Sequence, residues 1–445
     1  MRIQLSDHFT YGKLIKFTLP TMAMMIVSSV YGVVDGLFVS NFAGKTPFAA
    51  INLIMPYIMI FSTIGFIFGT GGSAIVAKTM GERRKDKANN YFSLFVYVSF
   101  ALGVLFAVLG IVCARPIAVL LGAEGNLLKD AVWYARIILL VLPFNTLQFL
   151  FQPFFSTAEK PQLGLVTTIS SGVMNIVLDA VLVLLLPQEY KLAGAGVATA
   201  MSQVVGGTIP LIYFGRENNS ILRIGKATFD GKIIIKATTN GSSEFMTNVS
   251  MSVVGMLYNI QLIKYAGENG VAAYGVMMYV SMIFSAMFIG YSMGTAPVIG
   301  YHYGANNHKE LKGLLRRSVV IIGGLAVGML IASEVLAVPL TNLFVGYDDE
   351  LMDITVSGFR IFAVSFLFMG YAIYGSCFFT ALNDGLTSAI ISFLRTLVFQ
   401  VAAVLLLPMI FGVDGIWYSI IVAEFMAMAL SAFFIVVKRK KYQYM

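Results

Sequence analysis

The sequence predicts an all-α polytopic membrane protein, with twelve transmembrane helices arranged as two six-helix bundles in a parallel repeat. Three observations carry the prediction. The 445 residues are 58% hydrophobic and only 12% charged, where soluble domains carry about 25% charged residues. The apolar residues gather into twelve segments of membrane-crossing length, each needing roughly 20 residues. The second half of the chain repeats the first.

The spans fall at about 14–40, 50–77, 91–113, 132–152, 163–186, 194–214, 236–264, 271–300, 316–344, 356–382, 387–410 and 414–437. The first follows Arg2, Lys13 and Lys16 and lacks a small-residue cleavage site, so it reads as a retained helix. Pro20 inside it removes a backbone hydrogen bond and is expected to kink it. No soluble domain of useful size remains between the spans.

The net charge of +8 is unevenly placed. Twenty-two of the 30 Lys and Arg sit in alternate loops and the two termini, in stretches such as GERRKDK (81–87), HKELKGLLRR (308–317) and KRKK (438–441). The opposite loops hold five: Lys45, Arg115, Lys129, Lys191 and Lys264. This bias is the positive-inside pattern, which places both termini in the cytoplasm. The basic loops meet anionic lipid rather than nucleic acid. Cys113 and Cys377 lie within or at the edge of spans and read as small packing residues.

Shifted by 223 residues, AGKTPFAAINLIMPYIMIFS (43–62) lies on AGENGVAAYGVMMYVSMIFS (266–285). Eleven of the 39 positions from 43 to 81 are identical, among them Gly71 with Gly294 and Gly81 with Gly304. Each half then has six spans. Six is even, so both halves enter from the same side, as a repeat about an axis along the membrane normal. The units are residues 1–215, a linker at 216–235 and residues 236–445. Two bundles flanking a cleft suit alternating access.

Ionisable groups at membrane depth are costly and usually mark a function or a partner. Five acids lie there: Asp35, Asp179, Glu244, Glu334 and Glu424. Arg136, Arg360 and Arg395 lie within spans as well. Arg136 and Arg360 can snorkel to the outer interface. Arg395 and Glu424 reach similar depths from opposite ends of spans eleven and twelve, which suits an ion pair. Glu334 sits near the end of its span.

Asp35 and Asp179 have no such partner in the first half. Asp179 stands one helical turn beyond Asn175, on the same face. If spans one and five pack together, two carboxylates share a pocket with an amide. Like charges in low dielectric cannot both ionise cheaply, so the pair can hold a proton near neutral pH. Equally, it can bind a monovalent cation, helped by Asn175 and Thr199; these hard oxygens suit H⁺ and Na⁺ alike. Glu244, early in span seven, could attract a cationic substrate or simply hydrogen-bond to its Ser and Asn neighbours. Methionines such as Met24 and aromatic residues such as Tyr31 suit a promiscuous cavity. No His-Glu-x-x-His motif occurs and the chain has three histidines, so an intramembrane enzyme is not expected, and no cofactor is expected beyond the coupling ion.

FTLP (17–20), VDGLFV (34–39), GERRKDKAN (81–89), NIVLD (175–179) and GAGVATAMSQ (194–203), set in two six-span halves, resemble the multidrug and toxic compound extrusion (MATE) transporters over essentially the whole chain. The resemblance implies a V-shaped, two-lobed antiporter of the cell inner (plasma) membrane that exports organic cations or drugs in exchange for H⁺ or Na⁺, with a monomer as the default for this architecture. Its coupling-ion site would fall on Asp35, Asn175, Asp179 and Thr199. Glu244 resembles an acid important in some members, and Asn145 is a looser match. Span ten contains no acid to match the second-lobe cation site of NorM-like members. The alternative is a lipid or lipid-linked oligosaccharide flippase of the same superfamily.

Overall fold

The computed structural model describes residues 3–346 and 348–445. Among them there are helices and connecting segments and no strands. The first half is built from α1 (Tyr11–Phe38), α2 (Lys45–Gly81), α3 (Lys85–Leu120), α4 (Gly125–Leu140), α5 (Leu142–Thr157), α6 (Pro161–Leu185) and α7 (Lys191–Gly215). The second contains α8 (Gly231–Asn240), α9 (Ser242–Gly304), α10 (His308–Val345), α11 (Asp349–Ala363), α12 (Phe366–Ala381) and α13 (Gly385–Phe393). It ends with α14 (Gln400–Leu406), α15 (Pro408–Phe411), α16 (Val413–Val437) and α17 (Arg439–Tyr442).

These helices account for twelve crossings among the described residues. Nine are long and apolar enough to span a membrane, with the α13-to-α15 stretch counted as one. Two bent pairs, α4 with α5 (60°) and α11 with α12 (50°), add one crossing each. Gly267, at φ 64°, divides the 63-residue α9 into two arms and supplies the twelfth. Only glycine adopts that φ freely, so the sharp reversal falls there.

Pro143 opens α5 and accounts for the first bend, because its ring cannot continue the preceding helix. The matching bend at Val364–Ser365 has no proline. By contrast, α1 runs from Tyr11 to Phe38 without a break, with Pro20 in its interior.

Lipid-facing and interior sides are legible helix by helix. On α6, Val166, Ile169, Val173, Val177 and Val181 are exposed, while Gly164, Thr168, Ser171, Gly172, Asn175 and Asp179 are buried. Both sets recur every three or four residues, but the polar set faces inward and the apolar set outward. That is the arrangement lipid imposes on a helix with a polar face.

The two bundles meet most tightly at the end that carries the basic loops. An added Cβ on Gly81 would sit 2.0 Å from the Tyr301 carbonyl oxygen, and one on Gly304 would sit 2.0 Å from that of Lys78. These contacts are mirror copies, since 78 and 81 match 301 and 304 at the repeat shift. The glycines retained in both halves are therefore where α2 and α9 cross backbone to backbone. Gly71 against Ala237, Gly241 against Ile67 and Gly290 against Met22 extend the seal. Toward the opposite end the bundles part. An added Cβ on Gly36 would meet only the Tyr279 hydroxyl, at 3.8 Å, and one on Gly275 would meet nothing within 4 Å.

Two straps reinforce the basic end. Residues before α1 cross to the second bundle, where the buried Glu310 accepts from the Phe9 N–H (3.0 Å), faces His8 Nδ1 (2.6 Å) and pairs with Arg317 (3.0 Å). Burial alone would raise the Glu310 carboxyl above its ordinary range, but these donors outweigh it and hold it lower. The segment Arg216–Asp230 is extended. It lies along the start of α3, where Asn89 Oδ1 accepts from the Arg223 N–H (2.8 Å) and Ser93 Oγ from the Gly225 N–H (2.9 Å).

Candidate ion site

The residues expected to hold the coupling ion come together inside the first bundle. Asp35 sits in the last turn of α1, Asn175 and Asp179 on the buried face of α6, and Thr199 on α7. Thr199 Oγ1 donates to Asp35 Oδ1 at 3.3 Å, and the side chains of Asp179 and Asn175 stand beside the same carboxyl group. Asp179 is 0% exposed and Asn175 1% exposed, so neither reaches lipid or bulk water.

None of the side-chain oxygen and nitrogen atoms of Asn175 and Asp179 closes a hydrogen bond within the protein. The chemistry gives the reason. A carboxylate cannot donate to its neighbour, so Asp35 and Asp179 are joined only when a proton or a cation lies between them. Buried polar atoms are normally satisfied, and here the orphans are both Asp179 oxygens and the Asn175 amide, beside the Asp35 carboxyl group. That donor set fits H⁺ or Na⁺.

Tyr134 of α4 borders the cluster and was not legible in the sequence. Its ring is buried, and its hydroxyl reaches Thr199 and faces both carboxylates. The ring fits because Gly196 of α7 leaves room; an added Cβ there would lie 3.3 Å from it. One turn toward the basic end, Gln148, Ser171 and Ser202 form a second polar layer. Ser171 Oγ donates to the Ser202 carbonyl at 2.7 Å, and Gln148 reaches both Ser171 and Tyr31.

The remaining candidates lie apart from this cluster. Tyr31 packs on Gly172 beside the second layer. Asn145 is buried in α5 with its amide oxygen unpartnered. Met24 is 1% exposed in the core, where its sulfur would lie 3.0 Å from a Cβ on Gly164. Glu244 lies in the first turn of α9, half-buried and facing the Cys377 sulfur. It matches Thr21 across the repeat, 14 residues before Asp35, which places it roughly 21 Å from the ion cluster along the helix axis.

Arg395 and Glu424 form the expected buried pair, with three hydrogen bonds of 2.8 to 3.1 Å. Arg360 meets Glu334 at 3.6 Å on an exposed surface.

A polytopic membrane protein of two repeated six-helix bundles, with a cluster of acids buried in one of them, is the class that fold and site define. A family model, MatE, matches twice, over residues 20–181 and 245–406, and the chain belongs to that family. It is similar to the Multidrug export protein MepA of Staphylococcus haemolyticus (strain JCSC1435), 26% identical over 429 residues that cover 96% of this chain and 93% of the relative. Two solved structures share the fold at TM-score 0.92 and 22% identity, with 98% of each chain covered. They are a MATE protein in complex with MaL6 and the outward-facing conformation of a multidrug resistance MATE family transporter of the MOP superfamily.

Proposed function

We propose that this protein is a secondary antiporter that exports organic cations or drugs from the cell in exchange for H⁺ or Na⁺. The observation that carries the proposal is the buried cluster of Asp35, Asn175, Asp179 and Thr199, whose orphaned oxygens bind a proton or a small cation. Relatives named for multidrug export and a family match across both halves support the cargo class. The basic end, read as the cytoplasmic face, is sealed by α2 and α9, so the cleft opens outward.

In this reading the empty cluster keeps two carboxylates facing each other in low dielectric. Repulsion loosens α1 from α6 and α7 until an ion arrives from outside. The bound ion draws the three helices together, closes the outer cleft and strains the seal at the opposite end. Opening of that seal admits cargo and releases the ion inward. Glu244, lying near the seal and without an ion pair among the described residues, offers a negative charge to cationic cargo. The flippase alternative calls for a cationic cavity. Two of the three span arginines, Arg360 and Arg395, are instead paired with acids.

The test uses purified protein in proteoliposomes with ethidium as cargo and a pH or Na⁺ gradient imposed alone. Movement driven by one gradient, and lost in both Asp35→Asn and Asp179→Asn, is expected. Full-rate transport in those variants would refute the assignment of the ion site.

A further inference from the structure

The two bundles are repeats, yet only the first contains the acid cluster. The structure shows what stands at the matching place in the second. The repeat shift is 223 residues near the start of each half and 221 near the end, where Leu184-Leu185-Leu186-Pro187 recurs as Leu405-Leu406-Leu407-Pro408. Packing supports this register. Gly194 abuts Leu186, and Gly415, its match, abuts Leu407. Between these the shift is 224, where Arg136-Ile137 recurs as Arg360-Ile361; with it Tyr134 matches Gly358, and at 221 Gly196 matches Trp417, so the contact is kept with ring and glycine exchanged between helices: a Cβ on Gly358 would lie 2.9 Å from the Trp417 ring.

In that register Asp35 matches Tyr258 and Asp179 matches Gln400. These two side chains touch as well: Tyr258 Oη donates to Gln400 Oε1 at 2.7 Å. Tyr258 is 1% exposed and stacks on Tyr274, with ring centroids 5.2 Å apart and planes 3° from parallel. Beside them Arg395, in the π-wound segment Leu394–Phe399, is tied to Glu424 of α16.

We infer that the second bundle carries a neutral, permanently closed copy of the ion cluster, in which the Tyr258–Gln400 hydrogen bond does without an ion what Asp35 and Asp179 do only with one. A neutral donor–acceptor pair needs no proton or cation to close and gains nothing from one. The first arm of α9 is thereby pinned to α14, and Arg395–Glu424 pins the adjoining segment to α16. The second bundle moves as a rigid body, and the exchange is driven by a single ion site. The inference rests on the proposed antiport reading for its consequence, while the brace itself does not.

The experiment measures ethidium export from proteoliposomes against the concentration of the driving ion, together with deuterium exchange of residues 394–406. The wild type is expected to show a Hill coefficient of about 1, and a variant carrying Tyr258→Asp with Gln400→Asp one approaching 2. Tyr258→Phe, which only breaks the bond, should keep the coefficient near 1. It should raise exchange in 394–406 and ion-independent leak several-fold.

A monodisperse double variant with an unchanged coefficient overturns the inference. So does Tyr258→Phe with wild-type exchange, a readout that stands even if the double variant does not fold. Failure of the antiport reading has a different signature: the wild type itself moves no ethidium under either gradient.

Discussion

Replacing Gly81 or Gly304 with alanine should force open the seal at the basic end. At both positions the new Cβ would lie 2.0 Å from a backbone carbonyl oxygen of the opposite bundle, where ordinary contact begins at 3.4 Å. A backbone atom cannot swing aside as a side-chain tip can, so α2 and α9 must separate by about the 1.4 Å difference between those distances. Overpacking of this kind costs about 1–3 kcal/mol. That cost falls only on the conformation in which the seal is shut, and it vanishes when the bundles part there. The equilibrium should therefore move toward the basic-end-open state by a factor of about 5 to 150 for each substitution. Spin labels at Arg84, just before α3, and Lys309, in the first turn of α10, on opposite bundles, would report the two states as short and long distances in pulsed dipolar spectroscopy. A rise in the long-distance population within that range is expected. Well-folded Gly81→Ala and Gly304→Ala proteins with wild-type distance distributions would refute the reasoning that these glycines close the seal.

Arg395→Met should cost about 3–5 kcal/mol by leaving Glu424 charged and unpaired, whereas Arg395→Met with Glu424→Met should recover most of it; thermal unfolding in detergent measures both. Tyr134→Phe keeps the ring that fills the space over Gly196 but removes the hydroxyl that reaches Thr199. It should weaken apparent ion affinity about tenfold in the export assay with unchanged maximal rate, and wild-type affinity would remove Tyr134 from the site. Asp384, in the connection between α12 and α13, is buried, which raises its carboxyl. Bonds from Lys438 (2.6 Å) and Tyr442 (2.7 Å) outweigh this and hold it below its ordinary value of 3.8. A lowered carboxyl favours the folded state when ionised, so this contribution is complete above about pH 4 and is lost as the pH falls further. Proteolytic release of the C-terminal tail should thus be unchanged from pH 6 to 8 and rise below pH 4, while Asp384→Asn should raise it at pH 6 to 8 and remove the rise at low pH.

Much of the candidate site was legible because membrane burial makes polar residues conspicuous. Asn175 and Asp179 stand out in an apolar helix, and their four-residue spacing puts them on one face whatever the helix packs against. Asp35 and Thr199 stand out in the same way, though nothing in their own stretches shows that they meet. Tyr134 was missed because a tyrosine near a membrane interface is ordinary. Its role depends on Gly196 lying opposite it, 62 positions along the chain. Glu244 shows the opposite case: equally conspicuous in sequence, it stands near the seal and far from the cluster.

The sequence by itself determined the number of crossings, the duplication and the identity of the buried acids. Apolar run length, repeat register and the cost of charge in lipid are all local or linear properties of a chain. The tertiary structure decided which acids share a pocket, that Arg395 closes on Glu424, and that Tyr258 and Gln400 stand where the acids should recur. It also showed that the glycines kept in both halves are contact points between the bundles. Those facts depend on how helices far apart in the chain lean on one another, and in a membrane that is set by close packing of small residues rather than by any pattern within a single helix.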